Sequence, residues 1–143
     1  MTAVIGLALL DIFGKKDVSD ELRKRNPYGI KVSFHPYRLT ANKSDTIRAN
    51  IKVENFSSEP LLTSVVVQVP KALGLDPTCL SQTREIRLGE LGKGESRDIP
   101  ADIFGNIKTD EGSYTVTITA IAHYRNYAYV LNSEKKTVSV RVV

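Results

Sequence analysis

Asp110-Glu111-Gly112-Ser113-Tyr114-Thr115-Val116-Thr117-Ile118-Thr119-Ala120 decides the fold class. Two acids and a glycine form a turn, Tyr114 follows two residues later, and from there apolar and polar residues alternate. A period of two belongs to a strand with one face in a core and the other in water. The phase predicts that Tyr114, Val116, Ile118, Ala120 and Ala122 point inward. Thr115, Thr117, Thr119 and His123 should point to solvent.

Working outward, the same period recurs. Ile30, Val32 and Phe34 alternate with Lys31 and Ser33 before Pro36, and Ile47, Ala49, Ile51 and Val53 alternate with Arg48, Asn50 and Lys52. Residues 62–69 are apolar and β-branched up to Pro70, and residues 71–80 hold Gly74, Pro77 and room for a helical turn. Residues 84–88 alternate again, 89–94 read as a glycine-rich turn, and 96–103 are extended. Pro100 lacks the N–H a central strand must donate, so that segment is expected at a sheet edge. Residues 137–143 close the chain with Val138, Val140 and Val142 on one side. About seven strands at short spacing predict an all-β, two-sheet sandwich over residues 29–143.

Residues 1–28 follow another pattern. Positions 3–13 are apolar except for Asp11. On a helix, Ile5, Leu9, Ile12 and Phe13 share one face, and Val4, Leu7 and Leu10 extend apolar character most of the way round. An N-terminal helical extension is therefore expected, with Ile5, Leu9, Leu10, Ile12 and Phe13 as its oligomer or membrane contact. Roughly 11 residues span about 17 Å, too short to cross a bilayer. Lys15 and Lys16 follow the apolar run instead of preceding it, so no secretory signal is read. Peripheral contact with a membrane surface is left open.

Four motifs, in order, resemble a known pattern. These are the strand, Asn and small turn of Ile51-Lys52-Val53-Glu54-Asn55-Phe56-Ser57-Ser58, and the turn Leu88-Gly89-Glu90-Leu91-Gly92-Lys93-Gly94-Glu95-Ser96. Then come the Gly-x-Tyr strand Gly112-Ser113-Tyr114-Thr115-Val116 and Asn132-Ser133-Glu134 before Thr137-Val138-Ser139-Val140. Together they are similar to the cell-adhesion-related domain of bacteria and archaea, over roughly residues 30–143. The resemblance implies an immunoglobulin-like Greek-key sandwich that binds carbohydrate or protein at a cell surface. It also implies that Asp-x-Gly-x-Tyr is a tyrosine corner, with the Tyr114 hydroxyl tied to backbone at the preceding turn.

The inventory for chemistry is thin. Cys79 is the only cysteine, so no intrachain disulfide forms, and there is no Trp. His35 and His123 are the only histidines, and no His/Cys/Asp/Glu set has metal-ligand spacing. No serine sits in a Gly-x-Ser-x-Gly elbow, and Gly92-Lys93-Gly94 is too short for a phosphate-binding loop. No catalytic residue, metal or cofactor is read, and the chain is not expected to be an enzyme. The net charge of +4 comes from 20 basic residues interleaved with 16 acidic ones, so nucleic acid is not an expected partner. Two triplets, at Asn42 and Asn55, match the N-glycosylation pattern. The lack of a signal and of disulfides favours the cytoplasm, with the cell surface as the alternative.

One stretch is rich in recognition chemistry: His123-Tyr124-Arg125-Asn126-Tyr127-Ala128-Tyr129. It is expected between the last two strands, where tyrosines offer large, rigid contact area at low entropic cost. Arg125, Asn126, Tyr127 and Tyr129 are the candidate binding residues. The other reading is that Tyr124 and one of Tyr127 or Tyr129 cover the open end of the sandwich. The function expected is a protein-interaction or self-assembly module, with a surface-adhesion module or a membrane-surface adaptor as alternatives.

Overall fold

A computed structural model describes residues 27–143. The expected helical extension, with Ile5, Leu9, Leu10, Ile12 and Phe13, lies outside the described residues. The described residues form eight strands: β1 (Tyr28–His35), β2 (Arg38–Leu39), β3 (Asp45–Asn55), β4 (Leu61–Gln68), β5 (Thr83–Leu91), β6 (Ser96–Gly105), β7 (Gly112–His123) and β8 (Val130–Val142). They make a three-stranded sheet, β1-β3-β6, and a five-stranded sheet, β2-β8-β7-β4-β5. The chain changes sheet at five connections. Only β4–β5 and β7–β8 stay within one sheet.

Seven of these strands are the seven expected. The eighth, β2, is two residues long, and it pairs parallel to β8 through Leu39 and Val142. β6 lies at a sheet edge, as Pro100 demands. Residues 71–80 hold tight turns and no helix, because Leu73 N–H returns to Pro70 O and Cys79 N–H to Asp76 O.

The core follows the alternation. Ile47, Ala49, Ile51 and Val53 of β3 face Val116, Ile118, Ala120 and Ala122 of β7, and all are buried. Each Val, Leu or Ile removed from water contributes about 1.5–3 kcal/mol. Tyr114 is only half-buried, but its hydroxyl donates to Asp110 O at 2.7 Å, closing the expected corner. Tyr28 lies under the end of the large sheet, with its hydroxyl 2.7 Å from Thr63 Oγ1. Burial pushes its phenol pKa up.

All connections cluster at two ends. One end holds Pro27, the β3–β4 and β5–β6 connections and the β7–β8 loop; the other holds the β1–β2, β2–β3, β4–β5 and β6–β7 connections.

Candidate functional site at the hairpin end

The site is built on Asn55, the last residue of β3. It is fully buried, and every part of its amide is used. Its Nδ2 donates to Glu59 O at 2.8 Å, Leu91 O at 3.0 Å and Gly92 O at 3.2 Å. Its Oδ1 accepts from Ser57 N–H at 2.8 Å and Ser57 Oγ at 2.7 Å. Its backbone pairs with Glu95 O and Gly94 N–H. Two of the four sequence motifs thus meet at one side chain, which clamps the β3–β4 connection to the β5–β6 turn. The turn is closed by Gly92 N–H on Glu95 Oε1 at 2.7 Å. That bond, followed by Arg97, holds the Glu95 carboxyl below its usual pKa. A buried, fully engaged Asn55 has no free amide for a glycan.

The β7–β8 loop sits beside this clamp. Tyr124 N–H donates to Tyr129 O at 3.0 Å and closes the loop. Asn126 shapes it, accepting Ala128 N–H on its side-chain oxygen at 2.8 Å, as in an Asx turn. Arg125 has a positive φ of 67° and lies over the Tyr124 ring, 5.1 Å from its centroid.

Tyr127 folds back onto the outer face of the large sheet. Its hydroxyl accepts Gly89 N–H at 3.0 Å, and its ring meets His123 edge-on at 5.0 Å. The Arg87 guanidinium lies 4.6 Å from its centroid. This corrects the expectation for His123. Its outward phase holds, since it pairs with Leu62 one residue beyond the inward Thr63–Ala122 pair. Yet it is 5% exposed, because Tyr127 covers it. Its Nε2 lies 2.7 Å from Ser64 Oγ, and its Nδ1 is buried with no protein partner.

The rest of the loop and the first residues of β8 face water. Tyr124 is 50% exposed, Tyr129 60%, Val130 61% and Leu131 59%. Leu131 is an extra residue in the β7–β8 ladder, since Ala122 pairs with Asn132 and His123 with Val130. Such a bulge re-aims side chains. Next to it opens a cleft of about 380 Å³ with Pro27, Leu61, Ala122 and Leu131 on its apolar walls. Ser57, Ser58, Glu59 and Asn132 make the other half of its lining polar. The carbonyl of Pro27 is anchored there by Phe56 N–H at 2.8 Å.

Of the four candidate binding residues, the structure places Arg125, Asn126 and Tyr129 at the exposed tip, while Tyr127 is half-buried as an anchor. Sequence reasoning missed Val130, Leu131 and the cleft. The signal for Leu131 was weak, because one extra residue at the start of a strand shifts the phase of too short a stretch to be noticed. Among the described residues, no group of three or more His, Cys, Asp or Glu is placed to hold a metal ion. Nor, among them, is any helix long and apolar enough to cross a membrane.

Two twisted sheets with this strand order and a tyrosine corner define an immunoglobulin-like sandwich. The chain is similar to the CARDB domain of a Pyrococcus furiosus protein, crystallised in complex with di-metal ions. The identity is 18%, the match covers 81% of this chain and 87% of that one, and the TM-score is 0.51. The solution structure of that domain matches at 19% identity over 82% and 94% of the two chains, with a TM-score of 0.53. Native Escherichia coli α2-macroglobulin, from domain MG7 to the C-terminus, matches at 15% identity and a TM-score of 0.58. That match covers 83% of this chain and only 17% of that one. No protein-family model matches the sequence, and no curated protein sequence does. These likenesses show the fold, that of the cell-adhesion-related domain.

Proposed function

We propose that the chain is a non-catalytic binding module whose hairpin end engages a protein partner. One observation carries this reading: Tyr124 and Tyr129 on the β7–β8 loop, which Asn126 and Tyr127 hold in one shape, and Val130 and Leu131 at the start of β8 are all exposed to water at one hairpin. Ordering a flexible loop on binding costs free energy, and a loop already ordered avoids that cost. Exposed apolar groups collected on one connection mark an interaction surface, whereas single ones do not. Arg125 and Tyr129 supply the contact chemistry, and Asn126 and Tyr127 keep the loop in register. In this reading Ile5, Leu9, Leu10, Ile12 and Phe13 form a second, apolar contact.

The adhesion role of the domain that the fold resembles supports binding over catalysis. A photo-crosslinking residue placed at Tyr129 in the producing cell tests the proposal. Adducts concentrated at Tyr129, against a Thr115 control on the open sheet face, support it. Equal yields at both positions overturn it.

A further inference from the structure

We infer that the free edge of β1 takes an extended peptide segment of a partner protein as an added strand, with an acidic side chain of that segment laid over Lys31.

The backbone leaves this edge open. β1 and β6 are the two edges of the three-stranded sheet. Asn55 turns its backbone N–H and C=O to Glu95 and Gly94, on the β6 side. In an antiparallel ladder that direction alternates, so Asn50 and Lys52 turn theirs to β1. Their partners Ser33 and Lys31 are thereby engaged, and Ile30, Val32 and Phe34 point their N–H and C=O groups away from the sheet. No backbone group among the described residues bonds them. β6 is closed by contrast: Pro100 has no N–H, and Phe104 exchanges both of its groups with Gly74. β5 is covered too, with Arg97 Nη1 donating to Leu88 O at 2.9 Å and Gly89 N–H to the Tyr127 hydroxyl. Such cover prevents strand addition, and residues 30–34 of β1 lack it.

The chemistry beside the edge selects the occupant. Lys31 and Lys52 stand directly opposite each other on the exposed face of the sheet, and neither belongs to an ion pair among the described residues. Like charges directly opposite destabilise a sheet, and a carboxylate laid beside them offsets that repulsion. Asp98 flanks Lys52 from β6, so Lys31 is the outer charge of the pair. The two lysines line a groove of about 170 Å³ with Gly29, Ile30, Glu54 and Phe56. Phe56 is 47% exposed, and its ring lies against Gly29, where a β-carbon would displace it. Gly29, Ile30 and Lys31 belong to β1 itself, so an added strand runs along the groove. Strand addition draws affinity from main-chain bonds and specificity from alternate side chains. The alternation here fits acidic residues outward at Lys31 and apolar residues inward, where Val32 and Phe34 are only partly buried against the core. Glu54 pairs with Gly29 and confines the acidic position to the Lys31 end of the groove. An edge lysine repels a second basic strand, which disfavours β1 of another copy as the occupant.

This surface is separate from the β7–β8 loop, so the inference and the hairpin reading can fail independently. The isotope-labelled full chain is titrated with the acetylated, amidated peptide SVEVEVS to about millimolar concentration, with the peptide SVKVKVS and inorganic phosphate as controls. The Glu peptide should shift the amide resonances of Ile30, Val32 and Phe34 and slow their exchange, and the Lys peptide should bind at least tenfold more weakly. Val32→Pro, which removes one outward N–H, should abolish binding. Lys31→Glu should reverse the preference between the two peptides, a result that loss of folding does not produce. Gly29→Ala, which displaces the Phe56 ring, should weaken binding several-fold. No shift at the three amides, equal binding of the two peptides, or an unchanged preference in Lys31→Glu overturns the inference. The same shifts with phosphate assign the groove to a small anion, and shifts that follow protein concentration alone assign the edge to a second copy; both results also overturn it.

Discussion

At the end that holds the β6–β7 turn, polar side chains are turned into neighbouring connections; at the hairpin end, apolar side chains are turned out to water. Asn42 Nδ2 donates to Ile107 O and to Asp110 Oδ1, both at 3.1 Å. The buried Thr109 hydroxyl donates to Ala72 O at 2.7 Å and accepts Asn106 N–H at 2.9 Å. The Tyr114 hydroxyl closes the same turn on Asp110. This end exposes Tyr37, Leu80 and Ile107, but each sits on a different connection. Scattered exposure of that kind is ordinary. The hairpin end is as well bonded at its base, through Asn55 and Tyr127, yet it displays four large apolar residues along one hairpin. Loop rigidity is common to both ends, so it does not by itself mark a site. What distinguishes the hairpin end is rigidity combined with a concentrated apolar display.

The strongest way to break this comparison is to remove the base beneath the display. Asn55→Ala deletes, at a fully buried position, the donor to three carbonyls and the acceptor for Ser57. A buried group left unsatisfied costs about 1–3 kcal/mol. Because several are orphaned here, a loss of about 3 kcal/mol is expected, read as a lower urea midpoint. A loss below 1 kcal/mol would mean that the two connections hold each other without Asn55.

Tyr127→Ala comes next. It strips the cover from His123, the acceptor from Gly89 N–H and the ring beneath Arg87. A half-buried aromatic loses less than a fully buried one, for which about 3–5 kcal/mol is usual, so about 2 kcal/mol is expected. Amide exchange at Gly89 should accelerate with it. An unchanged melting temperature would show that the loop does not depend on this anchor.

At the opposite end, Tyr114→Phe removes one hydrogen bond from a half-buried ring. The expected cost is about 1 kcal/mol, the net worth of a typical intramolecular bond. Amide exchange in the 124–129 loop should not change, because no hydrogen bond among the described residues joins the two ends. Faster exchange there would show that the ends are coupled through β7, which runs between them.

The fold was legible because it rests on alternation, and alternation is local. Ile47 to Val53 and Tyr114 to Ala122 each announce which face is buried. β2 was not legible, since two residues, Arg38 and Leu39, have no period and gain their strand only by meeting β8. The motif around Asn55 could be quoted from the sequence, but its purpose depends on Leu91 and Gly92, more than 30 residues away. His123 was read as solvated because parity sets direction, whereas cover depends on what folds over it; here that is Tyr127. The Tyr-rich loop stood out by composition, but not the division of labour within it. Tyr127 and Tyr129 are the same residue type two positions apart, and only the tertiary fold sends one down and leaves the other out.

That division gives the smallest expected effect on stability and the sharpest test of the comparison. Tyr124→Ala with Tyr129→Ala removes two rings that are half exposed or more, and the hydrogen bond joining these residues is between backbone atoms. The loop therefore keeps its closure, and Asn126 and Tyr127 keep its shape. Surface substitutions away from buried contacts shift stability by about 0.5 kcal/mol or less. The melting temperature of the double variant should match the parent, while crosslinking from Val130 to any partner should fall sharply. If the double variant instead loses as much stability as Tyr127→Ala, the exposed tyrosines belong to the structural base. The hairpin end would then differ from the opposite end only in composition, not in what its side chains do.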